Sequence, residues 1–172
     1  MVVTKGFTLI EMIAAMVLAS IVMSAIGLMA RGSMMNLVYT NSIIDMNKDA
    51  EYAQRSFMMH VNGCSSFTNG SLTTAQLSFT NYLNSAEYIY QISASDSTIK
   101  CSRTVSGNTV TGILLSGVIN GKFVYKDNRN QTLLSPTDAT IVGVELTFDL
   151  VRGENKQSYT TYVNYDKNQL EL

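Results

Sequence analysis

Glu11 is the residue hardest to account for by its neighbours. It is the one charged residue in the run FTLIEMIAAMVLASIVMSAIGLMA, residues 7–30. A carboxylate within a membrane-spanning helix costs on the order of 2.5–3.5 kcal/mol. The positions one helical turn away, Thr8, Ala14 and Ala15, supply no cation. A cation borrowed from outside the segment explains the carboxylate. The plainer reading is a glutamate that snorkels at a helix end, since Glu11 lies about one turn from Phe7.

The other residues able to do chemistry are sparse. His60 is the single histidine, and it is read as a structural or exposed residue beside Phe57 and Val61. Cys64 and Cys101 are too few for a disulfide scaffold and wrongly spaced for zinc. They are either one bridge, if this part of the chain lies outside the cytoplasm, or two separate thiols acting as small hydrophobes. Asp127-Asn128-Arg129-Asn130 has the flavour of a calcium loop but lacks its alternating oxygen ligands and closing glutamate, so a plain turn is expected. No nucleophile elbow, P-loop or HExxH pattern occurs. A Ser-His-Asp triad would have to use His60 on a packed helix. The expectation is a protein that is not an enzyme, with no cofactor and no metal. Net charge is −1, which gives no electrostatic footprint for nucleic acid.

The elements around these residues follow from hydropathy. Residues 7–30 would span about 36 Å as a helix, and a bilayer core of about 30 Å needs roughly 20 residues. Lys5 before the run favours a cytoplasmic N-terminus, although Arg31 beyond it weakens the asymmetry. An ordinary secretory signal has a shorter apolar core and a small-x-small cleavage site. This run is longer, carries Glu11, and ends Leu28-Met29-Ala30.

The segment Lys5-Gly6-Phe7-Thr8-Leu9-Ile10-Glu11-Met12 resembles the leader and helix start of type IV pilins and type II secretion pseudopilins. By that resemblance a prepilin peptidase cleaves between Gly6 and Phe7, and Phe7 is N-methylated. Glu11 then pairs with the terminal ammonium of a neighbouring subunit. Each charge alone is costly in a low dielectric, and pairing largely offsets that cost. Ala14, Ala15, Ala19, Ser20, Ser24, Ala25 and Gly27 would let neighbouring helices approach closely.

Beyond Arg31-Gly32-Ser33 the pattern becomes amphipathic. Tyr39, Ile43, Met46, Ala50, Ala53, Phe57 and Val61 recur at spacings of three and four, one apolar stripe. Glu51 and Arg55 form an i,i+4 pair. Asn62-Gly63 is a stop signal. One helix from about Phe7 to Val61 is expected, with Gly27 and Gly32 as its weak points at about 1 kcal/mol each.

After residue 63 the chain reads as β-structure. Val142, Val144, Leu146, Phe148 and Leu150 alternate with small or polar residues, as do Tyr88, Tyr90 and Ile92, and Tyr159, Thr161, Val163 and Tyr165. Shorter strands are expected at 77–80, 98–105, 110–115 and 122–126. Ser106-Gly107-Asn108, Asn120-Gly121, Asp127-Asn128 and Arg152-Gly153 mark turns, with Pro136 in a loop. The expected class is α+β: a long N-terminal helix packed on a mostly antiparallel sheet of six or seven strands joined as consecutive hairpins. The division is 1–6 leader, 7–31 membrane or filament-core helix, 32–63 amphipathic helix and 64–172 β-sheet ectodomain.

Four stretches resemble minor subunits of the J/W type: residues 49–55 (DAEYAQR), residues 88–92 (YIYQI) before Arg103, residues 123–127 (FVYKD), and 141–148. Where that subgroup often ends in basic residues, this chain ends Asn168-Gln169-Leu170-Glu171-Leu172. The resemblance implies a pilin-like fold and a subunit that primes or caps a filament for pilus biogenesis, secretion or DNA uptake. The implied partners are other pilins or pseudopilins, the prepilin peptidase and the membrane. The implied location is the bacterial cytoplasmic membrane, crossed once with the C-terminus outside, and then a periplasmic or extracellular filament. The competing reading is a single-pass membrane-anchored binding or adhesion protein that never polymerises.

Overall fold

The computed structural model describes residues 8–165. The apolar run and the amphipathic stripe join as one helix, α1 (Leu9–Asn62), which passes through Gly27 and Gly32 without a break. Contacts divide the chain into two compact units, Met1–Ile43 and Ile44–Leu172.

In the first unit the described side chains from Thr8 to Asn41 are exposed. Ser20 donates to the carbonyl of Val17, Ser24 to that of Ile21 and Ser33 to that of Met29, at 2.8, 2.8 and 3.1 Å. Each hydroxyl is thereby satisfied within its own helix, so an apolar surrounding leaves none of the three unpaired. Tyr39, placed on the apolar stripe by its spacing, is 56% exposed here. The buried stripe begins only at Met46.

The second unit holds the C-terminal part of α1 and eight strands. They are β1 (Cys64–Phe67), β2 (Gln76–Asn81), β3 (Glu87–Ser93), β4 (Thr98–Val105), β5 (Asn108–Ser116), β6 (Val118–Lys126), β7 (Gly143–Arg152) and β8 (Asn155–Asn164). The expected hairpin topology is present: every pairing is antiparallel and joins consecutive strands. The strands form two sheets, β1-β2-β3-β4-β5 and β6-β7-β8, rather than one. Gly117, at φ 80°, makes the switch. A Cβ there would sit 2.7 Å from the Val151 carbonyl oxygen.

Strand β1 was not expected. Its four residues show no clean alternation. It is held on its outer side by Asp138, whose carboxylate accepts from the Phe67 amide at 2.8 Å, and by Tyr165, which donates to the Ser65 carbonyl at 2.8 Å. Asn120-Gly121, read as a turn, instead forms a bulge inside β6, where the register with β7 shifts between Ile119 and Lys122. Asn120 takes the positive φ (53°) that such a bulge demands, and Gly121 lets β6 approach Ile92, whose Cγ2 a Cβ would meet at 2.8 Å.

The core lies where α1 meets both sheets. Met46, Ala50, Ala53, Phe57 and Val61 are fully buried. Phe57 touches Tyr90 of the first sheet edge-on at 5.5 Å and stacks on Phe123 of the second at 6.1 Å. The Arg152 guanidinium bonds the Asp49 carboxylate, Tyr159 donates to Asn47 at 2.7 Å, and Gln54 donates to the Thr160 carbonyl at 3.2 Å. The Glu51–Arg55 pair forms at 2.6 Å, exposed on both sides, which makes its contribution small.

Candidate functional site: the helix start and its carboxylate

Gly6 and Phe7, the residues of the expected cleavage and methylation, lie outside the described residues. Thr8 and Glu11 begin the described chain. The Glu11 carboxylate accepts from the Thr8 amide and the Thr8 hydroxyl, both at 2.9 Å, while the Glu11 amide approaches the Thr8 hydroxyl at 3.4 Å. This is a reciprocal capping box. It occupies one carboxylate oxygen, Oε2, with two donors.

Sequence reasoning treated Thr8 only as a position without a cation. The signal that finds it was present: Thr-x-x-Glu directly before an apolar run. The box changes the electrostatic account of Glu11. Its charge is partly stabilised by helix-start donors, where the dipole also favours an anion, yet it stays exposed on the helix. Both donors of the box fall on Oε2.

The rest of the unit fits an apolar environment. Residues of α1 form a segment long and apolar enough to cross a membrane, with none of it buried inside the protein. Residues 1–27 match a family model described as the prokaryotic N-terminal methylation motif. The chain carries a prokaryotic N-terminal methylation motif. That motif corresponds to the signal of type IV pilins and pseudopilins. It supports a type IV pilin-like subunit, and with the apolar helix it fits a membrane-anchored one. A comparison with curated proteins gives no match.

The remaining candidate residues of this methylation-motif chain lie in the second unit. The bridge weighed between Cys64 and Cys101 is not formed: both residues are thiols. Cys64 stands on β1 and Cys101 on β4, with β2 and β3 between them. Three strand spacings of about 4.8 Å alone put the two backbones at least about 14 Å apart, twice or more the reach of about 7 Å that a disulfide allows. Cys64 is in the core, and burial pushes the half-buried Cys101 thiol up from its ordinary pKa.

His60 is half-buried. Its Nδ1 shares a 2.5 Å hydrogen bond with the Tyr90 hydroxyl, and its ring lies 4.4 Å from that of Tyr88. Burial first, and the Arg103 charge second, hold its pKa below the ordinary value. Asp127 is committed to its turn, accepting from the Arg129 and Gln131 amides at 2.9 and 2.7 Å. Of the tyrosines that alternate in the strands, Tyr88, Tyr90 and Tyr165 are buried and Tyr159 is half-buried.

Proposed function

We propose that this chain is a structural, non-enzymatic subunit of a type IV pilus-like filament. The supporting observation is the methylation motif over residues 1–27 running into an apolar helix whose single early carboxylate is Glu11. In this reading prepilin peptidase cuts between Gly6 and Phe7 and the new amino group on Phe7 is methylated. The chain crosses the cytoplasmic membrane once, with the sheets outside. On assembly, the ammonium of an adjacent pilin or pseudopilin pairs with the Glu11 carboxylate. Two buried opposite charges that meet in only one stagger act as a register device more than as a net stabiliser.

The finer reading is a minor subunit of the J/W type that primes or caps the filament tip, in pilus biogenesis, protein secretion or DNA uptake. It rests on the residue patterns at 49–55, 88–92, 123–127 and 141–148.

Mass spectrometry of the mature protein tests the proposal: the expected N-terminus is methyl-Phe7. An intact Met1, or a cut near residue 30, would instead favour a membrane-anchored binding protein. Glu11→Leu is expected to insert in the membrane normally and to fail to co-assemble with partner subunits. Unchanged assembly by that variant would remove Glu11 from the mechanism.

A further inference from the structure

Each of the four strands at a sheet edge carries backbone groups able to pair with another strand, and three of the four are defended. Strand β1 has four residues and is closed off by Asp138 and Tyr165. Strand β6 carries Lys122 and Lys126, and Lys126 is bridged to Thr132. Strand β8 carries Lys156. Strand β5 is nine residues long and has no charge and no proline. Its residues 108–113 are exposed, including Val110 at 72% and Ile113 at 66%. Natural sheets place lysine, proline or a cover on an edge that must stay unpaired; β5 has none of these among the described residues.

Beside that edge lies an open groove of about 790 Å³ lined by His60, Tyr88, Arg103, Val105, Val110 and Gly112. Register puts Val110 opposite Arg103 and Gly112 opposite Cys101, so the groove is the continuation of the sheet face that α1 covers farther along. Its floor at Gly112 is bare backbone, with nothing within 4 Å of a Cβ there. Its one permanent charge is Arg103, which enters none of the ion pairs among the described residues.

We propose that β5 receives an extended segment of a different protein, which adds as a sixth strand and sets a carboxylate side chain on Arg103. Three demands select this occupant. The unpaired backbone row asks for a strand, Val105 and Val110 ask for apolar side chains at alternate positions, and the guanidinium asks for a carboxylate. Edge-to-edge pairing with a second copy does not meet the third demand, because the edge strands β1, β5, β6 and β8 contain no Asp or Glu. The inference uses only the sheet-bearing unit and stands whether or not the N-terminus is processed.

The test uses the full chain in detergent micelles. The probe is the capped peptide Thr-Val-Glu-Val-Thr, set against its Gln analogue and a backbone N-methylated analogue. Shifts of the 108–113 amides and anisotropy of the labelled peptide report binding. The Glu peptide is expected to bind about tenfold tighter than the Gln peptide. That preference should vanish in Arg103→Gln, N-methylation should abolish binding, and Val110→Lys should weaken it about tenfold. Equal binding of Glu and Gln peptides to the wild type would overturn the proposal, as would no binding or indifference to N-methylation. Self-association of the chain that Val110→Lys dissolves would assign the edge to a second copy and overturn it equally.

Discussion

At the scale of single residues, two carboxylates are held by partners close at hand. Glu11 finds Thr8 within its own turn. Asp149 lies against Ser158, Asn120 and Lys156, whose hydrogen bonds hold its carboxyl down to about 2. At His60 the environment opposes protonation. Desolvation and Arg103 lower its pKa, and its ring nitrogen is engaged with Tyr90, whose own burial keeps the phenol protonated. The unfolded chain therefore binds this proton more readily than the folded one, so stability rises with pH. The contribution is complete above the ordinary value of 6.5 and is lost as pH falls below it. Urea midpoints of the wild type should drop between pH 8 and pH 5 by more than those of His60→Gln. Parallel curves for the two proteins would show that the site does not titrate in this way.

At the scale of elements, the informative positions are where one element ends and another begins. Helix α1 stops at Asn62 because Gly63 leaves space for Asn81, which donates to the His60 carbonyl at 3.2 Å and accepts from the Leu83 amide at 2.9 Å. Sheet exchange occurs at Gly117, where the positive φ and the nearby Val151 carbonyl exclude a side chain. Gly117→Ala should cost about 1–3 kcal/mol, read as a shifted denaturant midpoint with an unchanged slope. Gly70→Ala, with a positive φ but open space, should cost less. Most element positions were legible in the sequence: the stripe from Met46 to Val61, the alternation of 144–150, and the turns at 106–107 and 152–153. What escaped was the use made of Asn120-Gly121. The dipeptide asks for positive φ in a turn and in a bulge alike, and only the partner strand β7 decides between them.

At the scale of the whole molecule, each unit has its own logic of burial. In Met1–Ile43 the described side chains make almost no core, and an apolar surrounding must supply what the fold does not. In Ile44–Leu172, Phe57 joins α1 to both sheets through Tyr90 and Phe123. Phe57→Ala should cost about 3–5 kcal/mol. Loss of near-ultraviolet circular dichroism and of sheet signal should coincide in that variant. Melting of one sheet ahead of the other would show that Phe57 does not couple them. The helix–sheet ties Asn47–Tyr159 and Asp49–Arg152 lie on the second sheet's side, consistent with one helix serving two layers.

The sequence alone determined the long helix, the β-rich remainder and the carboxylate at the helix start. Those features are written in local periodicity and in a short contiguous motif, which need no distant partner to be read. Tertiary structure decided the split into two sheets at Gly117, the separation of Cys64 from Cys101, and the exposure of the β5 edge beside Arg103. These depend on which strands become neighbours, and strand pairing joins residues far apart in the chain through backbone groups that every sequence shares.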